Sequence, residues 1–196
     1  MCAPVWLSAG TARMRRALPL AALAFAVLAL TSLPCPPAWS QDTLEYAVKA
    51  AYLVKFAPFI NWPETAFPSS TAPLTICVVG TDPFGAVLDR AASGQRDGDR
   101  PLALRRMATF DPEVSCQILF AGGEPQDVAA VLAQIKDRPV VTVTDADRPA
   151  RSIISFVVVS NHVRFDIDEA AADAVGIKIS SKLLSLAHAV NRGERP

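Results

Sequence analysis

Histidine is almost absent from this chain: His162 and His188 are the only two among 196 residues. A nucleophilic triad or a histidine-bound metal needs an imidazole close to an activated nucleophile or to further ligands. Neither histidine has a second His or a Cys at ligand spacing, so no catalytic residue, metal or cofactor is assigned. Net charge is missing as well, since 19 Lys and Arg balance 19 Asp and Glu. That balance argues against nucleic acid as a partner, and the one local basic pair, Arg105-Arg106, reads as a solvated strand end. A phosphate loop is also lacking. Gly80-Thr81-Asp82-Pro83-Phe84-Gly85 follows a strand and opens a helix, yet no Lys-Ser or Lys-Thr comes after Gly85 and the three-glycine dinucleotide pattern is absent. Asp82 is therefore read as capping a helix in a plain turn. No internal repeat or low-complexity tract occurs.

Long apolar runs are confined to the start. Arg13, Arg15 and Arg16 form a basic head, Ala17 to Leu33 is apolar, and Ala38-Trp39-Ser40 places small residues where a signal peptidase reads. Residues 1–40 are thus expected to be a cleaved export signal and 41–196 a single domain. A membrane anchor is the competing reading, opposed by Pro19, by Pro34-Cys35-Pro36-Pro37 and by the short apolar length. Pro34 before Cys35 is a poor context for lipidation. Three of the 19 bases and none of the 19 acids precede Gln41, leaving 16 bases against 19 acids, a net −3.

Asp42 and Glu45 have capping-box spacing and predict a helix from Thr43 to about Ala57, stopped by Pro58. Leu44, Ala47, Val48, Ala51, Leu53, Val54, Phe56 and Ala57 leave it little polar surface, with Lys49 and Lys55 its main charges. Such a helix is buried on several sides or turns one side to a partner. Phe56, Phe59, Ile60 and Trp62 are the candidate partner contacts, and closure of the core by the same residues is the competing reading.

Strands and helices then alternate. Strands are expected at Leu74–Val79, Leu102–Arg106, Gln117–Phe120 and Val140–Val143, and helices at Phe84–Ala92 and Pro125–Lys136. Ser93 to Asp99 reads as a polar turn. Continuous apolar strands separated by helices predict a three-layer, mostly parallel α/β sheet, Rossmann-like or flavodoxin-like, in the order 2-1-3-4. An antiparallel hairpin ends it, Ile153–Val159 turning at Ser160-Asn161 into Val163–Ile167. Asp168 caps a short helix ended at Gly176. Ser180 or Ser181 caps a last helix over Lys182–Val190. The acids Asp166, Asp168, Glu169 and Asp173 could suggest a cation site, but capping accounts for the first three.

An exported chain keeps Cys77 and Cys116 in an oxidising compartment, on strands the predicted order makes neighbours, and a disulfide between them is expected. Two buried free thiols are the alternative.

The wording RFDID, AAADAVGIKIS and SSKLLSLA between Arg164 and Ala187 resembles the C-terminal signature of the YfiR family. Four more stretches match in order: EYAVKAAYLVKFAPFINWP, ICVVGTDPFGAVL, SCQILFAG and RPVVTVTD. The resemblance runs from Glu45 to Val190. It departs at Arg148-Pro149-Ala150-Arg151-Ser152, where family members usually carry a glycine-rich segment with a methionine. The resemblance implies a periplasmic, non-enzymatic regulator that binds the periplasmic part of an inner-membrane signalling protein, a diguanylate cyclase, and restrains it, lowering cyclic di-GMP. A second copy of the chain is a further candidate partner. The alternative is a small-molecule binding module using the crevice at the carboxyl ends of the strands, near Gly80, Thr81, Asp82 and Gly122-Gly123.

Overall fold

The structure, a computed structural model, describes residues 41–145 and 151–193. The expected export signal and Arg148-Pro149-Ala150 lie outside the described residues.

Helix α1 covers Gln41–Phe56, and Pro58 falls in the 3₁₀ turn Ala57–Phe59 that closes it, as its missing amide hydrogen requires. Its start at Gln41 puts Asp42 inside the first turn and not at the expected cap. Two short elements follow, β1 at Ile60–Asn61 and a 3₁₀ turn at Glu64–Ala66. The alternating region comprises β2 Leu74–Gly80, α2 Ala86–Ala92, β3 Arg96–Asp97, β4 Arg100–Met107, β5 Ile118–Gly122, α3 Pro125–Ile135 and β6 Val141–Asp145. The chain continues with β7 Ile154–Val159, β8 His162–Asp168, α4 Glu169–Ala174, β9 Lys178–Ile179, α5 Ser181–Leu186 and β10 Ala189–Asn191.

Eight strands form one sheet in the order β10-β8-β7-β6-β5-β2-β4-β3. The stretch from β4 through β2, β5, β6 and β7 is parallel, and within it β4-β2-β5-β6 is the 2-1-3-4 order expected from the alternation. Strands β7 and β8 form the antiparallel hairpin, with Ser160 and Asn161 both at positive φ, 50° and 62°, as a two-residue turn with right-handed strand twist demands.

Side chains of β2 alternate between two buried clusters. Ile76 and Val78 face Leu53, Phe56 and Leu88 of α1 and α2, while Cys77 and Val79 face Val128, Leu132 and Ile135 of α3. Both faces are apolar because both are covered. Cys77 of β2 is bonded to Cys116, just ahead of β5, with their Cα atoms 5.9 Å apart. The bond sits at the centre of the sheet, where β2 and β5 are paired.

Two expectations need correction. The last helix stops at Leu186, and Ala189 and Val190, predicted as its end, fall in β10, parallel to β8. Beyond the extended Ala187, the amide of His188 donates to the Phe165 carbonyl at 2.8 Å. Pairing to β8 satisfies backbone groups, whereas continuing the helix would have buried little, since Leu186 is 56% exposed. The polar turn Ser93–Asp99 contains β3, folded back on the start of β4. Strands β1 and β9 pair antiparallel as a separate two-stranded ladder, Ile60 opposite Ile179.

Candidate functional site

Helix α1 meets the sheet through Ala50, Leu53, Val54 and Phe56, all buried. Its opposite side is apolar too and is not covered: Leu44 is 62% and Val48 38% exposed. Beside them rises the tip of the β7-β8 hairpin, whose Val158 is 51% exposed. Between helix and hairpin lies an open groove of about 490 Å³ whose apolar lining is Leu44, Val48, Tyr52, Val158 and Val163, with Glu45, Asn161 and His162 as its polar members. Tyr52 forms its floor, stacked on Phe56 at 5.9 Å and edge-on to Phe165 at 5.3 Å. His162 is occupied locally, its Nδ1 lying 2.7 Å from the Ser160 carbonyl.

The rotation of α1 that exposes Leu44 and Val48 is fixed by a buried charge. Lys49 is only 3% exposed. Its Nζ lies 2.5 Å from Oδ1 of Asp145, at the end of β6, and 2.6 Å from Oε1 of Glu45. The Tyr46 hydroxyl donates to Oδ2 of the same Asp145 at 3.3 Å. Burial by itself would lower the Lys49 pKa, but the hydrogen bonds from Asp145 and Glu45 outweigh it and hold the ammonium above its ordinary value. Burial and the Asp145 charge likewise raise the Tyr46 phenol.

Of the four contact residues expected from the sequence, two are not on the surface. Phe56 is 1% exposed, packed edge-on to Phe165 at 5.1 Å, and Ile60 is 5% exposed on β1. Both belong to the core, because the apolar side of α1 that ends at Phe56 is the side applied to the sheet. Phe59 and Trp62 are half-buried. Phe59 lies under the Lys182 ammonium, 5.5 Å from its ring centre, and the Trp62 indole donates to the Gln117 carbonyl at 3.1 Å. The sequence reading missed Leu44, Val48 and Val158 as a surface. Their signal was present, an apolar helix face opposite an apolar strand pair, but it could not be assigned to the outside.

The crevice at the carboxyl ends of the strands is real. A cavity of about 640 Å³ is lined by Gly80, Thr81, Gly122 and Gly123, with Phe110, Glu124 and the α3 residues Asp127 and Val131 among the rest of its wall. The loops after β2 and β5 touch here: the Thr81 amide donates to the Gly122 carbonyl at 3.1 Å. A Cβ on Gly80 would collide with the Gly122 carbonyl oxygen, and one on Gly122 with that of Thr81, so close backbone approach requires both glycines. Asp82 is not among the lining residues of this cavity. Its Oδ1 accepts the Phe84 amide at 2.8 Å in a turn ahead of α2, and its Oδ2 takes Nε of Arg106 at 2.6 Å. Arg106 also reaches Asp89 at 2.9 Å, so this strand-end arginine is paired, contrary to its reading as merely solvated. Burial would raise the Asp82 pKa, but Arg106 and the amides of Phe84 and Gly85 hold it below the ordinary carboxylate range.

The four clustered acids are engaged within the fold. Asp166 lies 3.0 Å from His188, Asp168 accepts the Ala171 amide at 2.9 Å as the cap of α4, Glu169 pairs with Arg192 at 3.3 Å, and Asp173 with Lys178 at 2.8 Å. Among the described residues no group of three or more His, Cys, Asp or Glu is placed to hold a metal ion, and no helix is long and apolar enough to cross a membrane.

A mixed α/β fold with a mostly parallel sheet, pinned by a disulfide and carrying an uncovered apolar groove beside its first helix, defines the class of protein. The chain belongs to the YfiR/HmsC-like family, whose sequence model matches residues 46–188. The match takes in both cysteines of the disulfide and the Lys49–Asp145 pair, and begins within the groove, after Leu44 and Glu45. No curated protein matches the chain.

Proposed function

We propose that this protein is exported to the periplasm through cleavage near Gln41, is not an enzyme, and binds the periplasmic part of an inner-membrane diguanylate cyclase to hold it inactive. Family membership supports the type of target. The observation that carries the contact surface is the uncovered apolar groove between α1 and the β7-β8 tip. Leu44, Val48 and Val158 are its anchors, and Phe56 supports its Tyr52 floor from the core. By binding the inactive form of its target preferentially, the protein shifts that equilibrium off, and its release raises cyclic di-GMP. In this reading the layers are flavodoxin-like, with α1 and α2 over one face of the sheet and α3 over the other. The test is to express the chain with Leu44→Asp or Val158→Asp and measure cyclic di-GMP in the cell. Loss of repression with unchanged thermal stability supports the surface, whereas full repression by both variants refutes it.

A second reading is favoured by the 640 Å³ cavity at the carboxyl ends of β2 and β5, where the connections leave the sheet on opposite faces and open α/β sheets characteristically bind ligands. Gly80, Thr81, Gly122 and Gly123 would form such a small-molecule site. Bulky substitution at Thr81 that leaves repression and its response to stimulus intact would exclude it.

A further inference from the structure

We infer a second, unassigned binding site in the cleft between α3 and α4, selective for a small amphipathic monoanion, an aryl or short alkyl carboxylate. The cleft holds about 120 Å³. Its floor is apolar, made by Ile135, Val140 and Ile153, which are 1%, 5% and 5% exposed. Ala171 of α4 and Val175 just past it form the far wall. A closed cavity of roughly 150 Å³ admits benzene, so this one takes a ring edge or a chain of a few carbons.

Three cations line the same opening: Lys136 and Arg138, just past α3, and Arg151, leading into β7. None of the three has an acidic partner among the described residues. The acids of the neighbouring α4 are spent elsewhere, Asp173 on Lys178 and Glu169 on Arg192. Asp137 shares the turn with Lys136 and Arg138 but does not line the cleft. Arg138 also lies 5.5 Å from the centre of the Phe110 ring. Lys136 and Arg138 are favourably placed at the carbonyl end of α3, whatever else they do. Arg151 arrives from a different element and has no such reason to join them. A carboxylate at the mouth would meet Arg151, whose guanidinium suits its planar geometry, together with Lys136, with its apolar part over Ile135 and Ile153. Bare phosphate could use the cations but would gain nothing from the floor. The inference is independent of the regulatory reading above.

The test titrates the full chain, as recovered from the exported fraction, with benzoate, benzamide and inorganic phosphate at constant ionic strength, followed by amide chemical shifts. The expected result is saturable binding of benzoate, with shifts concentrated at Ile135, Val140, Ala171 and Val175 and little binding of benzamide or phosphate. Arg151→Gln, at an exposed position where folding is not at stake, should weaken benzoate roughly ten-fold or more, as loss of a charge-assisted contact does. Lys136→Gln, also exposed, serves as the second variant and should weaken it in the same direction. Absence of saturable shifts, equal binding of benzamide, phosphate binding as tight as benzoate, or unchanged affinity in both variants would each overturn the proposal.

Discussion

Replacing Lys49 by Met should destabilise the protein by about 3 kcal/mol, although a surface lysine on a helix is normally replaced at almost no cost. Methionine preserves most of the stem and removes the ammonium, which lies 4.6 Å from the Tyr46 and 5.9 Å from the Phe156 ring centre, so the change isolates the charge and its contacts. What remains is Asp145, with a side chain only 15% accessible and Tyr46 as its one other side-chain donor among the described residues. Removing one partner of a buried pair costs about 3 to 5 kcal/mol, chiefly because the other charge is left uncompensated. Glu45, at 31% accessibility, can turn to water, which places the expectation at the lower end. For a domain of this size the melting temperature should fall by roughly 6 to 12 °C. Urea unfolding of the single variants, of Asp145→Asn and of the double variant gives the coupling, expected at about 1 to 3 kcal/mol with the double less damaged than additivity predicts. A loss below about 1 kcal/mol, or strict additivity, would refute the reasoning. The pH dependence has a definite sign. The Lys49 and Tyr46 pKa values are both raised on folding, so their contribution is complete below the ordinary lysine and tyrosine values and is lost as pH rises through the folded ones. The wild type should therefore lose stability above about pH 10 more steeply than Lys49→Met.

Changing Cys77 and Cys116 together to Ala should lower stability by about 4 kcal/mol in the chain-entropy model for a separation of 39 residues, with thiol counting on the denatured exported protein finding no free thiol from this pair. Leu44→Asp should leave stability within about 0.5 kcal/mol of wild type while Phe56→Ala costs about 3 to 5 kcal/mol, a contrast that urea unfolding reads directly. Arg106→Ala should weaken acid resistance: the depressed Asp82 pKa stabilises the fold above the unfolded carboxylate value, and this is lost as pH falls through the folded value. Because Arg106 is 35% accessible the effect should stay under about 1 kcal/mol and shrink further in high salt, as acid titrations at two ionic strengths would show.

The central sheet was legible because its strands must be apolar on both faces. Leu74 to Val79 and Ile118 to Ala121 allow no solvated side, and alternation with helices then dictates parallel pairing. The disulfide followed from the same neighbourhood. Elements that depend on distant partners were not legible. Ala189 and Val190 read as helix because Leu183, Leu184, Leu186 and Ala187 recur at helical spacing, and only the open edge of β8 makes an extended path better there. Strands β1 and β9 are two residues each, too short to carry a period. Helix α1 was recognised, but its periodicity could not say which apolar side faces in, and so Phe56 and Ile60 were read as contacts while Leu44 and Val48 were passed over. The deciding residue was Lys49, whose counter-charge lies 96 positions away.

The small ladder in which Ile60 faces Ile179 bears on the order in which the chain folds and opens. It joins the segment after the first helix to the segment before the last, closing a loop that contains nearly the whole sheet. The entropy of closing so long a loop is offset by only two residues of pairing unless the sheet has already brought the ends together. This ladder therefore forms late, and its amides should exchange with solvent faster than those of β2 and β5. The segment after α1 is thereby tied to the C-terminal part of the chain by a ladder of only two residue pairs.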